Sequence, residues 1–146
     1  MISNQDIWVL TADLGYKLLD RIRDDFPERF VNCGASEQAM LDIACGLAMS
    51  GKIPFVYTIT PFLLYRPFET LRTYIDHEKL NVKLIGAGRD KEYGADGFTH
   101  WAEEDWKVME ALPNIRCYWP DTNEEAKTFC GLCVYNKGAY YINLKR

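Results

Sequence analysis

The 146-residue sequence has no excess of positive charge and no long apolar run. Its 17 lysines and arginines are outnumbered by 21 aspartates and glutamates, which gives a net charge of −4. Nucleic acids bind basic surfaces, so this balance argues against nucleic acid as the main partner. The apolar runs are far shorter than the ~20 residues that span a bilayer, and the first residues lack the pattern of a signal peptide. We therefore expect a cytoplasmic protein that contacts no membrane.

The sequence contains five cysteines, an odd number that cannot all pair within one chain. Cys45 falls on an apolar helix face, and Cys33 and Cys117 fall in predicted strands, so reduced thiols are the simplest interpretation. Cys130 and Cys133 have the spacing of a redox or metal pair. They lie inside a predicted helix without a second pair or a nearby histidine, which favours a structural role.

What the sequence does contain is a regular alternation of strand and helix patterns, about every 25 residues. Strands are predicted at residues 6–11, 30–33, 54–58, 82–86, 115–119 and 139–144. Helices are predicted from residue 14 to near Pro27, over residues 36–51, after Pro67, over residues 101–112, and after a cap at Asp121 or Thr122. This alternation is typical of βαβ units, so we expect one α/β domain over residues 1–146, with a mainly parallel sheet flanked by helices.

Residues 29–65 contain the most informative pattern in the sequence: a strand, a tight turn, a helix, a second strand and a turn into another helix. Gly34 permits a sharp turn after a short strand, Ser36 can cap the next helix, and Glu37 lies in its first turn. An apolar stripe predicts that this helix is packed on one face: Met40, Ile43, Ala44, Leu47 and Ala48. Pro61 then precedes a run of aromatic residues. An acidic residue from one strand end and aromatics from the next are typical of a ligand crevice in an open α/β sheet.

Residue chemistry alone leaves alternatives open at each candidate position. Glu37 either binds a ligand or only complements the helix dipole. Asp96 and His100, in a glycine-rich loop, either bind substrate hydroxyls or belong to a turn that caps a helix. Arg89 either takes a phosphate or is a solvated surface residue. The aromatics either stack on a flat heterocycle or belong to the core: Phe62, Tyr65 and Phe68.

Several segments, in the right order and spacing, resemble a known family. They are ADLG (12–15), RFVNCGASEQAMLDIACGLAMSGKIPFV (29–56), TPFLLYRPFETLR (60–72), GADGFTH (94–100), MEALPNIRCYWPDTNEE (109–125) and YYINLKR (140–146). Together they are similar to the pyrimidine-binding domain of transketolases and of the related deoxyxylulose-phosphate synthases, over nearly the whole chain. The resemblance implies the three-layer α/β fold of thiamine diphosphate enzymes.

The resemblance also implies a cofactor site. Glu37 matches the glutamate that meets N1′ of the aminopyrimidine ring of thiamine diphosphate and shares a proton with it. Phe62 matches the aromatic that stacks on this ring, and Tyr65 matches another residue of the cradle. A third aromatic of the family falls at Ile59, so part of the cage is aliphatic here. Glu37 is thereby expected to be catalytic.

The implied substrate site mixes features of two enzyme classes. Asp96 and His100 match groups that contact hydroxyls of the sugar substrate, and His100 is expected to act in catalysis as well. Two positions depart from the family: Trp101 replaces a glutamine, and Gly88 replaces a phosphate-binding histidine of transketolases. Arg89 instead matches a phosphate-contacting arginine of the deoxyxylulose-phosphate synthases. The resemblance therefore leaves the identity of the sugar substrate open.

The cofactor's diphosphate and its Mg²⁺ require a second domain in this family. That domain carries GDG and a later asparagine, whereas the GADG at 94–97 belongs to the substrate loop, so no metal ligand is expected here. We therefore expect a subunit of a split transketolase-like enzyme, in an α2β2 assembly, that transfers a two-carbon ketol unit between sugar phosphates. The alternatives are a piece of a longer enzyme, or a non-catalytic homologue that serves as an assembly or binding module.

Overall fold

In the computed structural model, which describes residues 1 and 3–145, six strands form one sheet in which all pairs are parallel. The sheet order is β2-β1-β3-β4-β6-β5. The strands are β1 (Ile7–Thr11), β2 (Phe30–Asn32), β3 (Ile53–Ile59), β4 (Lys83–Ala87), β5 (Arg116–Tyr118) and β6 (Tyr140–Leu144). The predicted α/β fold is confirmed, and its sheet is wholly parallel. Arg146, the last residue of the YYINLKR segment, lies outside the described residues.

The helices alternate with the strands as predicted, but two of them begin late, and a short helix over Thr60–Tyr65 precedes the one expected after Pro67. They are α1 (Asp20–Asp25), α2 (Glu37–Met49), α3 (Thr60–Tyr65), α4 (Phe68–Thr70) with a π-helical continuation (Leu71–His77), α5 (Asp105–Glu110) and α6 (Asn123–Tyr135). The helix expected from residue 14 cannot start there, because Asp13, Gly15 and Lys17 all have positive φ angles. The helix expected from residue 101 begins at Asp105, after a 3₁₀ turn over Phe98–His100.

Capping agrees with the sequence prediction at one helix and departs from it at another. Ser36 does occupy the cap position of α2, but its side chain makes no capping hydrogen bond. Thr122 caps α6, where its hydroxyl accepts a hydrogen bond from the backbone N–H of Glu125 at 3.2 Å. The face of α2 that packs on the sheet also differs from the predicted stripe, because Leu41 and Cys45 are buried whereas Ile43 is 42% exposed.

The fold places the candidate residues at one edge of the sheet. Parallel strands have their carboxyl ends on the same side, and α2 follows β2, α3 follows β3, and the loop of residues 88–104 follows β4. Within the described part of the chain, no helix has the length and apolarity that crossing a membrane requires.

Candidate functional site

Glu37 is a buried carboxylate whose partner comes from the next βα unit. It is the first residue of α2, and its side chain is 3% exposed. Arg66, directly after α3, donates a hydrogen bond from Nη1 to Glu37 Oε2 at 2.7 Å. A buried charge is costly unless it is paired and hydrogen-bonded, so this contact compensates the burial of Glu37.

Arg66 also stacks on Phe62. Its Cζ lies 3.7 Å from the centroid of the Phe62 ring, well within the range of a cation–π contact. The two residues are four positions apart at the end of α3, which puts their side chains on one face. The guanidinium is thus held between the carboxylate of Glu37 and the ring of Phe62, while the Arg66 side chain as a whole remains 48% exposed.

His100 completes this cluster from another loop. Its ring meets the Phe62 ring edge to face, with centroids 4.9 Å apart and an interplanar angle of 66°. The loop that carries His100 contains two 3₁₀ turns, Gly94–Asp96 and Phe98–His100, joined by Gly97. Gly97 has φ 80° and ψ −173°, a conformation available essentially only to glycine. Asp96 lies exposed in the same loop.

Two further predicted cofactor residues lie at the two ends of α3. Ile59 is the last residue of β3 and is partly buried where α3 begins. Tyr65 is 40% exposed, and burial together with the carboxylate of Glu104 raises its pKa to about 12. Glu104 directly precedes α5, so the Tyr65 hydroxyl is directed toward the start of that helix.

Arg89 is buried, which rules out the solvated surface position that the sequence allowed. It is 8% exposed. Its Nη1 donates to Asp121 Oδ1 at 2.9 Å, and its Nη2 donates to the backbone oxygens of Asn143, at 2.9 Å, and of Pro120. Its contact with a substrate phosphate stays a prediction, and that contact requires the guanidinium to exchange Asp121 for the phosphate.

Gly88 has a structural reason to lack a side chain. Its φ angle is +81°, which side-chain-bearing residues rarely adopt. A Cβ added at Gly88 would also run into the ring of Tyr93. Position 88 of this chain therefore has no room for a histidine unless the Tyr93 ring moves.

A buried polar network fixes the start of α3, and no sequence pattern indicated it. Asp105, 3% exposed, accepts three hydrogen bonds on Oδ2: from Trp119 Nε1 at 2.7 Å, Tyr141 Oη at 2.7 Å and Asn143 Nδ2 at 2.6 Å. Burial and the Asp105 carboxylate raise the pKa of Tyr141 well above its usual value, so its hydroxyl remains a donor. Thr60 Oγ1 donates to Asn143 Oδ1 at 3.1 Å, which ties the helix that carries Phe62 to β6.

The structure thus brings Glu37, Phe62 and His100 into one cluster and adds Arg66, which sequence reasoning missed. The only sequence signal for Arg66 was its spacing of four from Phe62. Its contact with Glu37 spans 29 positions and depends on how α2 and α3 meet.

The cluster has the chemistry of a site for a planar, hydrogen-bonding ring. The guanidinium of Arg66 is planar, donates to Glu37 and stacks on Phe62, so a flat group with a donor or a shared proton at its edge fits the same place. The aminopyrimidine of thiamine diphosphate is such a group. In the described part of the chain, no three histidine, cysteine, aspartate or glutamate side chains are grouped as metal ligands would be.

The five thiols are free, and burial raises the pKa of the partly buried Cys117 to about 12 and that of the buried Cys133 to about 12. Cys130 is exposed on the same helix as Cys133. A pair in which one thiol is buried and scarcely ionised is not an activated redox pair, which agrees with the structural interpretation.

Comparison with known proteins identifies the relatives of this chain. Residues 1–146 match the family described as "Transketolase, pyrimidine binding domain". The chain is 34% identical over 143 residues to a "Putative transketolase C-terminal section" of Methanocaldococcus jannaschii, covering 97% of this chain and 45% of the relative. It is 32% identical over 120 residues to an apulose-4-phosphate transketolase subunit of Actinobacillus succinogenes, covering 82% of this chain and 39% of the relative.

A solved structure shares both the fold and the sequence. It is described as "Split gene transketolase, inactive beta4 tetramer", with a TM-score of 0.85 and 34% identity. The match covers 99% of this chain and 47% of that chain. The chain therefore spans about half the length of the curated relatives and of the solved structure that it matches.

Proposed function

The chain belongs to the transketolase pyrimidine-binding domain family, and from that premise we propose that residues 1–146 form the pyrimidine-binding domain of a split, thiamine diphosphate-dependent transketolase-like enzyme. The observation that carries the proposal is the cluster of Glu37, Phe62 and His100 at the carboxyl ends of parallel strands. It combines a buried carboxylate, an aromatic face and an imidazole, linked by Arg66 and by direct contact of the two rings.

Each cofactor residue has a role that its position supports. When bound, thiamine diphosphate supplies the carbanion chemistry of ketol transfer. Glu37 holds and passes a proton at N1′ of the pyrimidine, and its burial keeps water from competing for that proton. Phe62 offers its ring face to the pyrimidine. Ile59 and Tyr65 border the ring from the end of β3 and from α3.

The substrate residues lie on the loops after β4. His100 and Asp96 contact hydroxyls of the sugar, with His100 next to the cofactor ring through Phe62. We assign the substrate phosphate to Arg89, whose present partner Asp121 is 72% exposed and can exchange for an incoming anion. The transferred group is a two-carbon ketol unit, and the substrates are sugar phosphates or related sugars.

A partner chain supplies what this chain does not. We propose that it binds the diphosphate and the Mg²⁺, and that the two kinds of chain form an α2β2 assembly in the cytoplasm. The names of the relatives support this division of labour, because one is a transketolase subunit and another is a "split gene" product.

Co-purification with a chain that carries GDG and a downstream asparagine tests the proposal. The complex is expected to bind thiamine diphosphate with Mg²⁺ in titration calorimetry, whereas the isolated chain binds it weakly, because charge-assisted contacts to the diphosphate provide most of the affinity. Micromolar binding by the isolated chain would contradict the division of labour. A stable complex that binds no cofactor would favour the assembly module instead.

A further inference from the structure

We infer that Arg66 is a placeholder for the pyrimidine ring of the cofactor, and that this arginine therefore sets the affinity of the chain for that ring. The inference rests on the proposed function, because it concerns the same crevice. Its content is distinct: an arginine of the chain fills the place of the ring until the ring displaces it.

The geometry of Arg66 reproduces both contacts that the ring would make. Its Nη1 lies 2.7 Å from Glu37 Oε2, where an edge of the ring would meet the carboxylate. Its Cζ lies 3.7 Å from the centroid of the Phe62 ring, which places the flat guanidinium directly against that ring. A ring cannot stack on that face of Phe62 and meet that oxygen of Glu37 while the guanidinium remains there.

Arg66 also has the freedom to leave. Its side chain is 48% exposed, and it follows the last residue of α3, so it can rotate into solvent without disturbing the core. Glu37 cannot move in the same way, because it lies in the first turn of α2 and is 3% exposed. The buried carboxylate needs a partner with or without the ring, so Arg66 pairs with it until the bound ring takes its place.

The alternative for Arg66 is a purely electrostatic effect, in which its positive charge repels thiamine, whose thiazolium ring is cationic. A lysine keeps the positive charge but has no planar group to stack on Phe62 and meets a carboxylate at a single point. Arg66→Lys therefore removes the planar group that occupies the crevice but keeps the positive charge. Arg66→Met removes the planar group and the charge. Arg72→Met is the matched control, since Arg72 is an exposed arginine in the π-helical segment Leu71–His77.

Thiamine is the probe, because it carries the pyrimidine ring but no diphosphate, so the diphosphate contacts proposed for the partner do not enter its binding. Its dissociation constant is measured with the isolated chain by NMR titration of the Phe62 and His100 ring signals. We expect Arg66→Met and Arg66→Lys to bind thiamine about tenfold more tightly than the unchanged chain, because no stacked cation has to be displaced. Arg72→Met should bind as the unchanged chain does.

Equal affinity in the unchanged chain and Arg66→Met overturns the inference, as does an Arg66→Met variant without saturable binding. A gain in Arg66→Met that is absent in Arg66→Lys also overturns it, because the charge alone would then be responsible. Glu37→Ala, made in the Arg66→Met background, separates this failure from failure of the proposed function, because alanine cannot hydrogen-bond the ring. If Glu37→Ala weakens binding although Arg66→Met did not strengthen it, the inference about Arg66 fails alone. If Glu37→Ala changes nothing, the assignment of the crevice to the pyrimidine fails too.

Discussion

The rings of Phe62 and His100 meet edge to face with their centroids 4.9 Å apart. Phe62 belongs to α3, which follows β3, and His100 belongs to the loop that follows β4. This contact joins the residues proposed for the cofactor to those proposed for the sugar, so we expect a substrate held by His100 to lie beside the pyrimidine ring of the cofactor.

His100→Ala in the assembled enzyme should impair use of the donor sugar more than binding of the cofactor. Loss of a hydrogen bond to a substrate hydroxyl should raise KM for the donor about tenfold. Steady-state kinetics and calorimetry separate the two effects. His77→Ala is the matched control, because the side chain of His77 is 80% exposed and remote from the crevice. A donor KM unchanged by His100→Ala would remove His100 from the substrate site.

Glu37→Gln should lower turnover by about 10²–10⁴-fold and leave the complex intact. Glutamine keeps the size of the side chain and can hydrogen-bond the ring, but it has no carboxyl proton to exchange. Turnover at saturating cofactor, with the assembly checked by sedimentation, is the measurement. Glu110→Gln, an exposed position on α5, should behave as the unchanged enzyme. Turnover near that of the unchanged enzyme in Glu37→Gln would show that Glu37 has no catalytic role.

Asp105→Ala should destabilise the fold strongly. It leaves three buried donors, on Trp119, Tyr141 and Asn143, without their shared acceptor. Because a buried unsatisfied polar group is costly, we expect the free energy of unfolding to fall by about 3 kcal/mol or more in urea titrations. Asp25→Ala, which removes only an exposed ion pair, should cost less than about 1 kcal/mol. Equal effects of the two changes would contradict this account of the network.

Lys83 should make stability depend on pH in the alkaline range. Its Nζ donates to Asn81 Oδ1 at 2.7 Å and to the backbone oxygens of Asn136 and Gly138, at 3.0 and 2.8 Å, but burial outweighs these contacts and lowers its pKa from 10.5 to about 8. Below pH 8 the lysine is charged in both the folded and the unfolded chain. Between pH 8 and 10.5 the unfolded chain binds more protons, so stability should rise with pH.

The measurement is the free energy of unfolding at several pH values, compared with that of Lys83→Met. The rise between pH 8 and 10.5 should be smaller in Lys83→Met than in the unchanged chain. Lys127→Met, at an exposed position on α6, should retain the full rise. The same pH dependence in Lys83→Met and the unchanged chain would show that Lys83 titrates alike in both states.

Gly88→Ala should destabilise the chain by about 1–3 kcal/mol, since a side chain at φ +81° is strained and its Cβ meets the Tyr93 ring. Gly46→Ala is the matched control. Gly46 lies inside α2 with open space around its Cβ position, so alanine there should stabilise the chain by up to about 1 kcal/mol. Thermal unfolding of both variants measures the difference. An unaffected Gly88→Ala variant would show that the loop after β4 can rearrange to admit a side chain.

Local sequence patterns are enough to predict the alternation of strands and helices, and with it the parallel sheet. These patterns are apolar runs bounded by glycine and proline, and a cap such as Thr122. The positions of Glu37 and Phe62 at strand ends could be predicted for the same reason, because each lies a few residues after an apolar strand. The late starts of α1 and α5 could not, since they depend on positive φ angles and 3₁₀ turns that packing imposes.

Which side chains meet depends on tertiary packing and could not be predicted. The contact of Glu37 with Arg66 spans 29 positions, and the Asp105 network reaches Asn143 across 38. The burial of Arg89 could not be predicted either, because its backbone acceptors lie at the ends of β5 and β6, far from it in the sequence. Sequence patterns repeat over the few residues of one helix or strand, whereas these contacts form where separate elements converge, so their partners are set by how the sheet and its helices pack.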